Sequence, residues 1–333
     1  MKTRPLGVFL GNPKHLAMAY PEALREEVIG KLSVLGDDIN SSRWRERLSD
    51  LSEARVVLST WGMPALNTEF LEAAPNLKAV FYAAGSVKAF ATQEAYARGV
   101  VISSAWAANA VPVAEYSLAV ILLSLKRFWT FTRELKETKT FKKSGEVPGA
   151  YLSKVGLVSL GAIGKLVAKK LSGFEVQVLA YDPFAEPKTA EGLGVRLVSL
   201  EELFAVCDVV SIHTPWLPET ERLINAALLR TMKQGATLIN TARGAVINEQ
   251  ELCEVLADRP DLTAILDVTY PEPPPANSPL FVLPNVHLTP HIAGSVDGEV
   301  ARMGHWMVEE LSRYLANSPL KHSVDQKMLA HMA

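Results

Sequence analysis

Short apolar runs of strand length alternate with helix-patterned stretches along almost the whole chain. That alternation constrains the fold more than any other feature, because strands and helices in succession build parallel sheets with helices laid on their faces. The first third supplies LGVFLG, ARVVLS, LKAVFYAAG and GVVISS, separated by stretches such as PEALREEVIGKLSVL. A second series follows Tyr151: KVGLVSLG, EVQVLAYD, CDVVSIH, ATLINTA, TAILDV and NVHLTPH. The 333 residues are too many for one typical domain and suit two.

Between the series a long helix is expected to start near Asn109, with Pro112 in its first turn. Its sequence, VAEYSLAVILLSLKRFW, is apolar around much of the surface, as befits a helix buried between domains or against a partner. The polar stretch from Glu137 to Tyr151 reads as a surface connection. Ser199 with Glu202, and Asn248 with Glu251, have the spacing of capping boxes. A final helix, Val296 to Leu315, returns the chain to the first domain. The expected fold is α/β: two Rossmann-like or flavodoxin-like doubly wound parallel-sheet domains with a cleft between them. Residues 1–106 with 300–333 form a discontinuous substrate domain, and 107–299, including the 109–129 helix, form the nucleotide domain.

Composition narrows the function. Net charge is −2 and long runs of Lys or Arg are absent, which disfavours nucleic acid and anionic membrane as partners. The longest apolar stretch, around Leu118 to Leu125, reads as too short to span a bilayer. MKTRPLGVFLGNPK reads as a first strand rather than a signal peptide. Cys207 and Cys253 are the only cysteines, so a disulfide framework and a thiolate metal site are not expected, and a reducing cytoplasm fits.

In VGLVSLGAIG, a strand runs into a helix through Gly161 and Gly164, with Ser159 where G-x-G-x-x-G has its first glycine. Gly161 would let backbone approach a pyrophosphate, and Gly164 would let the helix pack closely on the strand. Leu160, Ala162 and Ile163 complete the expected contact surface. Asp182 ends the following strand, VLAYD, where a carboxylate can accept hydrogen bonds from ribose hydroxyls and repel a 2′-phosphate. NAD is therefore favoured over NADP.

Three polar residues then follow strand-like runs: Arg243 in INTARGAVIN, Glu272 in LDVTYPEPP and His291 in LTPHIAG. Strand ends form the ligand crevice of an open parallel sheet. A guanidinium delivered there can fork onto a substrate carboxylate. An imidazole can move a proton, and a carboxylate beside it favours the charged ring and fixes its orientation.

The ordered series VSLGAIG, YDP, HTPWLPET, LINTARG, LDVTYPEP and TPHIAG resembles the D-isomer-specific 2-hydroxyacid dehydrogenases, a group that includes D-lactate, glyoxylate/hydroxypyruvate and D-3-phosphoglycerate dehydrogenases. The resemblance runs from about Leu77 to His291. It implies NAD-dependent reduction of a 2-oxo acid to a D-2-hydroxy acid, with Arg243, Glu272 and His291 catalytic. It implies a nicotinamide contact for Asp267, with Thr214, Pro215, Thr241, Ala242 and Gly294 also lining the cofactor. It places Ala84, Gly85 and Ser86 where backbone N–H groups meet the substrate carboxylate, although SVKAF departs from the family pattern there. Trp61 and Trp106 read equally as pocket walls or core, His213 and His287 as structural, and Asn109 and Glu115 as structural interdomain residues. The 109–129 helix becomes the expected homodimer surface. Formate-type relatives resemble the chain too, but carry Gln where Glu272 stands. A non-catalytic dinucleotide-binding corepressor or sensor on the same fold is the alternative.

Overall fold

The computed structural model describes residues 4–141 and 146–332; residues 142–145 of the expected surface connection lie outside them. Two units emerge. One joins residues up to Asn109 with Ser295–Met332, and the other is Ala110–Gly294.

In the first unit the described strands are β1 (Leu6–Gly11), β2 (Ser33–Val34), β3 (Ile39–Asn40), β4 (Val56–Ser59), β5 (Ala79–Tyr82) and β6 (Val101–Ser104). They form a parallel sheet in the order β2-β1-β4-β5-β6, with β3 also pairing β1. Successive strand residues point to opposite faces. Val57, Val80 and Tyr82 therefore join one buried cluster, while Val56, Leu58, Ala79 and Phe81 join another. Burial on both faces explains why these strands read as unbroken apolar runs.

The second unit contains β7 (Lys154–Val158), β8 (Gln177–Tyr181), β9 (Val195–Leu197), β10 (Val209–Ile212), β11 (Thr237–Asn240), β12 (Thr263–Leu266) and β13 (Val286–Leu288). The sheet is parallel, in the order β13-β12-β11-β10-β7-β8-β9. The chain runs outward from β7 through β8 to β9, then crosses back to β10 on the other side. The switch point between β7 and β10 is where such sheets open a ligand crevice. Both units are thus the doubly wound parallel-sheet folds expected from the alternation.

The long helix differs from expectation. It begins at Trp106 and ends at Leu125, which puts Pro112 inside it rather than in its first turn. Arg127 adopts φ 51° and breaks the run, and a second helix occupies Phe128–Thr138. By length and apolarity (mean hydropathy 1.6) the Trp106–Leu125 helix could cross a membrane, a property the shorter Leu118–Leu125 window concealed. With 56% of that segment buried inside the protein, its composition is accounted for as a core helix.

The two expected capping boxes form only by half. Ser199 Oγ accepts the Glu202 N–H at 3.1 Å, but Glu202 pairs with Arg196. Asn248 Oδ1 caps Glu251, whose carboxylate accepts the Ala226 N–H and so ties two helices together.

Candidate active site

The turn after β7 is built around a strained residue. Ser159, standing at the first glycine position, adopts φ 83°, a left-handed conformation that costs a non-glycine residue about 1–3 kcal/mol. Its hydroxyl donates to Asp182 Oδ2 at 3.3 Å, and the Leu160 N–H donates to the same oxygen at 2.8 Å. Asp182 Oδ1 accepts the Phe184 N–H at 2.8 Å. The carboxylate read from the sequence as a ribose acceptor therefore also holds the turn.

This turn fits a dinucleotide. Gly161 caps the Ala162–Leu171 helix without any side-chain hydrogen bond, so the first-turn N–H groups near Ile163 keep no side-chain cap. A Cβ at Gly161 would meet only Ser159 Oγ, at 3.7 Å, which leaves the approach to the helix open. A Cβ at Gly164 would lie 2.2 Å from the Ser159 carbonyl oxygen, so the helix packs against the turn only with glycine there. Beside it lies a cavity of about 420 Å³ whose lining includes Leu160, Lys165, Asp182 and Phe184.

Across the switch point, Thr214 Oγ1 donates to the Val158 carbonyl at 3.1 Å and places Pro215 beside the turn. His213 is buried there against Ser211, at 3.1 Å, and burial lowers its pKa to about 4. After β11, Asn240 shapes the next loop: its Oδ1 accepts the Ala242 N–H and its Nδ2 donates to the Arg243 carbonyl. Thr241 meets Ser117 at 3.3 Å. A Cβ at Gly244 would fall 2.0 Å from the Thr269 carbonyl carbon, so glycine lets the Arg243 loop press against the loop after β12. Neither Asn240 nor Gly244 was singled out from the sequence, although Gly244 adjoins Arg243 in the motif itself.

Arg243, Glu272 and His291 come together at these strand ends. His291 Nδ1 lies 2.6 Å from Glu272 Oε1, with both side chains about half exposed. Burial pushes the Arg243 guanidinium below its usual range, while the nearby Glu272 charge opposes that shift. Arg243 Nη1 donates to the Ala242 carbonyl at 2.7 Å. A cavity of about 520 Å³ opens beside the pair, lined in part by Glu272, Phe281, Leu288 and His291.

Asp267, expected from the resemblance to contact the nicotinamide, holds the loop that carries His291. It is 2% exposed, and its carboxylate accepts Thr289 Oγ1 at 2.6 Å and the Ile292 and Ala293 N–H groups at 2.8 Å each. Its observed partners all belong to the loop that carries His291. Gly294 closes that loop at the end of the second unit.

Most of the remaining residues lie in the first unit, with Glu115 and His287 in the second. Ala84, Gly85 and Ser86 follow β5, where Ser104 Oγ donates to the Ala84 carbonyl at 2.9 Å and also to that of Gly85. Trp61 packs edge-on to His15, and Trp106 edge-on to His322. Both tryptophans are partly buried against core clusters. Asn109 Oδ1 accepts the Ser295 N–H at 2.9 Å, and Glu115 pairs with Lys170 in the second unit. His287 lies in β13 beside Trp129, as a packed histidine.

A doubly wound sheet with a phosphate-type turn at its switch point, and with Arg, Glu and His at its strand ends, defines a dinucleotide-binding α/β protein with acid/base groups. Comparison with known proteins makes this specific. A sequence model described as "D-isomer specific 2-hydroxyacid dehydrogenase, NAD binding domain" matches residues 118–293. D-3-phosphoglycerate dehydrogenase of Archaeoglobus fulgidus is 33% identical over 82% of this chain and 51% of its own length. Hydroxypyruvate reductase of Thermotoga maritima is 33% identical over 75% of this chain and 81% of its own. A Thermus thermophilus protein of known crystal structure superposes with a TM-score of 0.74 at 30% identity, covering 96% of this chain and 100% of that one. The chain belongs to the D-isomer-specific 2-hydroxyacid dehydrogenase family, and its cofactor is NAD(H). It spans about half the length of the phosphoglycerate dehydrogenases it matches.

Proposed function

We propose that this chain reduces a small 2-oxo acid to its D-2-hydroxy acid with NADH, and catalyses the reverse. The observation that carries the reading is the His291–Glu272 hydrogen bond at 2.6 Å, beside Arg243, at the strand ends of an NAD-binding sheet. Bound NADH supplies the hydride for the carbonyl carbon. Glu272 occupies Nδ1 of the imidazole, which leaves Nε2 to pass a proton to the carbonyl oxygen. Glu272 also fixes the ring's orientation and balances the positive charge on its protonated form. The planar guanidinium of Arg243 holds the substrate carboxylate and stabilises charge growing on the oxygen. Names borne by relatives, D-3-phosphoglycerate dehydrogenase and hydroxypyruvate reductase, support the substrate class.

The same reading makes the active species a homodimer. Phe128, Leu135, Phe141, Tyr151 and Leu152, on and after the Phe128–Thr138 helix, expose apolar side chains that a second copy would cover.

NADH oxidation screened against glyoxylate, hydroxypyruvate, pyruvate, phenylpyruvate and phosphorylated 2-oxo acids tests the activity. Turnover of at least one, with NADH preferred over NADPH because of Asp182, is the expected result. NADH binding with no turnover of any 2-oxo acid would refute the proposal in favour of a sensor.

A further inference from the structure

The loop that carries His291 is held from an unexpected direction, by the Trp106–Leu125 helix. Tyr116 on that helix places its hydroxyl 3.0 Å from Thr289 Oγ1. Thr289 Oγ1 in turn donates to Asp267 Oδ1 at 2.6 Å. A threonine hydroxyl carries one proton. Since that proton goes to the carboxylate, the Tyr116 hydroxyl must be the donor to Thr289. The bonds therefore have one direction, from Tyr116 to Thr289 to Asp267, and end on a buried acceptor.

Asp267 transmits the restraint to the residues that set the position of His291. Its side chain accepts the Ile292 and Ala293 N–H groups, the two that follow His291, while the His291 N–H donates to the Asp267 and Thr289 carbonyls at 3.0 Å. His291 itself has φ 55°, a left-handed backbone that a non-glycine residue keeps only when its surroundings enforce it. Three hydrogen bonds to one carboxylate supply that enforcement, and Tyr116 is the outermost link. Burial, offset by the bond to Thr289 and reinforced by the Asp267 charge, raises the Tyr116 phenol, so it keeps its proton at neutral pH. Tyr116 lies outside the matched stretch 118–293.

We propose that Tyr116 is a positioning residue. Its hydroxyl fixes Thr289 and, through Asp267, holds His291 in the backbone conformation from which its ring meets Glu272. The catalytic part rests on His291 being the acid/base group; the positioning part does not.

Tyr116→Phe removes the hydroxyl and keeps the ring. Two readouts in the full chain separate the claims. Amide hydrogen exchange of Ile292 and Ala293 should speed up by about fivefold, the scale of one lost hydrogen bond, while amides of β10 and β11 stay unchanged. In steady-state reduction, kcat should fall roughly tenfold, as when an orienting partner of a functional histidine is removed. KM for the 2-oxo acid and the affinity for NADH should both stay within about twofold. Thr289→Val should reproduce both changes. The double variant should be no worse than Thr289→Val alone, because Tyr116 has nothing to hold once the threonine hydroxyl is gone. Parental exchange rates at Ile292 and Ala293 in Tyr116→Phe would overturn the positioning claim. Faster exchange with parental kcat, or additive losses in the double variant, would overturn its catalytic consequence. If the parent turns over no 2-oxo acid, the proposed function and that consequence fail together, and the exchange measurement alone decides the positioning.

Discussion

Burial alone depresses the ionisation of His213, and stability should record it. Its pKa lies near 4 in the fold against 6.5 in the unfolded chain. Above 6.5 neither state binds the proton. As the pH falls below that value, the unfolded chain takes up a proton that the folded chain still refuses, so stability is lost towards pH 4. The shift corresponds to roughly 3 kcal/mol at the acid end. The unfolding free energy of the parent minus that of His213→Gln, measured across this range, should fall as the solution is acidified, whatever its value at neutral pH. Parallel curves would show that His213 does not stay neutral in the fold. At this scale the sequence was only partly legible. Arg243, Glu272 and His291 announced themselves because each is a polar residue at the end of an apolar run. Asp267 was visible as a residue, but its bonds to the His291 loop were not, since they join it to a hydroxyl and two backbone N–H groups more than twenty positions away. Tyr116 was hidden, because a hydroxyl in an apolar helix gives no sign of what it touches.

Elements were clearest where they are long and buried. The strands that pack into a core on both faces were all foreseen, whereas β2, β3 and β9 were missed: two or three residues are too few to show alternation. The Trp106–Leu125 helix was placed late because Pro112 looked like a starting signal, although a helix tolerates an interior proline when packing compensates for the missing N–H. Apart from the Glu272–His291 pair, contacts between loops were not legible, and Gly244 is the sharpest case. A Cβ there meets backbone rather than a flexible side chain, so Gly244→Ala must push the Arg243 loop away from the loop after β12. It should cost about 1–3 kcal/mol of stability. In the folded protein kcat/KM for the 2-oxo acid should fall roughly tenfold or more, because Arg243 moves relative to Glu272 and His291. NADH affinity should change little. Thermal melts, steady-state kinetics and an NADH titration check these effects, and parental kinetics would show that the close approach does not set the geometry of the site.

At the scale of the molecule, the alternation of strands and helices is enough to set the fold class, because a parallel sheet covered on both faces leaves few other ways to bury such runs. The divisions between the units fall a few residues from those read in the sequence, at Asn109 and Gly294, within a helix and a loop where composition does not change. Family membership then gives NAD(H) as the cofactor and leaves the acid/base assignment as the central claim. His291→Ala tests it most directly. NADH titration of the purified variant should give parental affinity, and its circular dichroism should match the parent's. Its turnover of the best 2-oxo acid should fall by roughly a hundredfold or more, the scale of a lost proton donor. A folded, NADH-binding His291→Ala that reduces the acid at the parental rate would contradict the account.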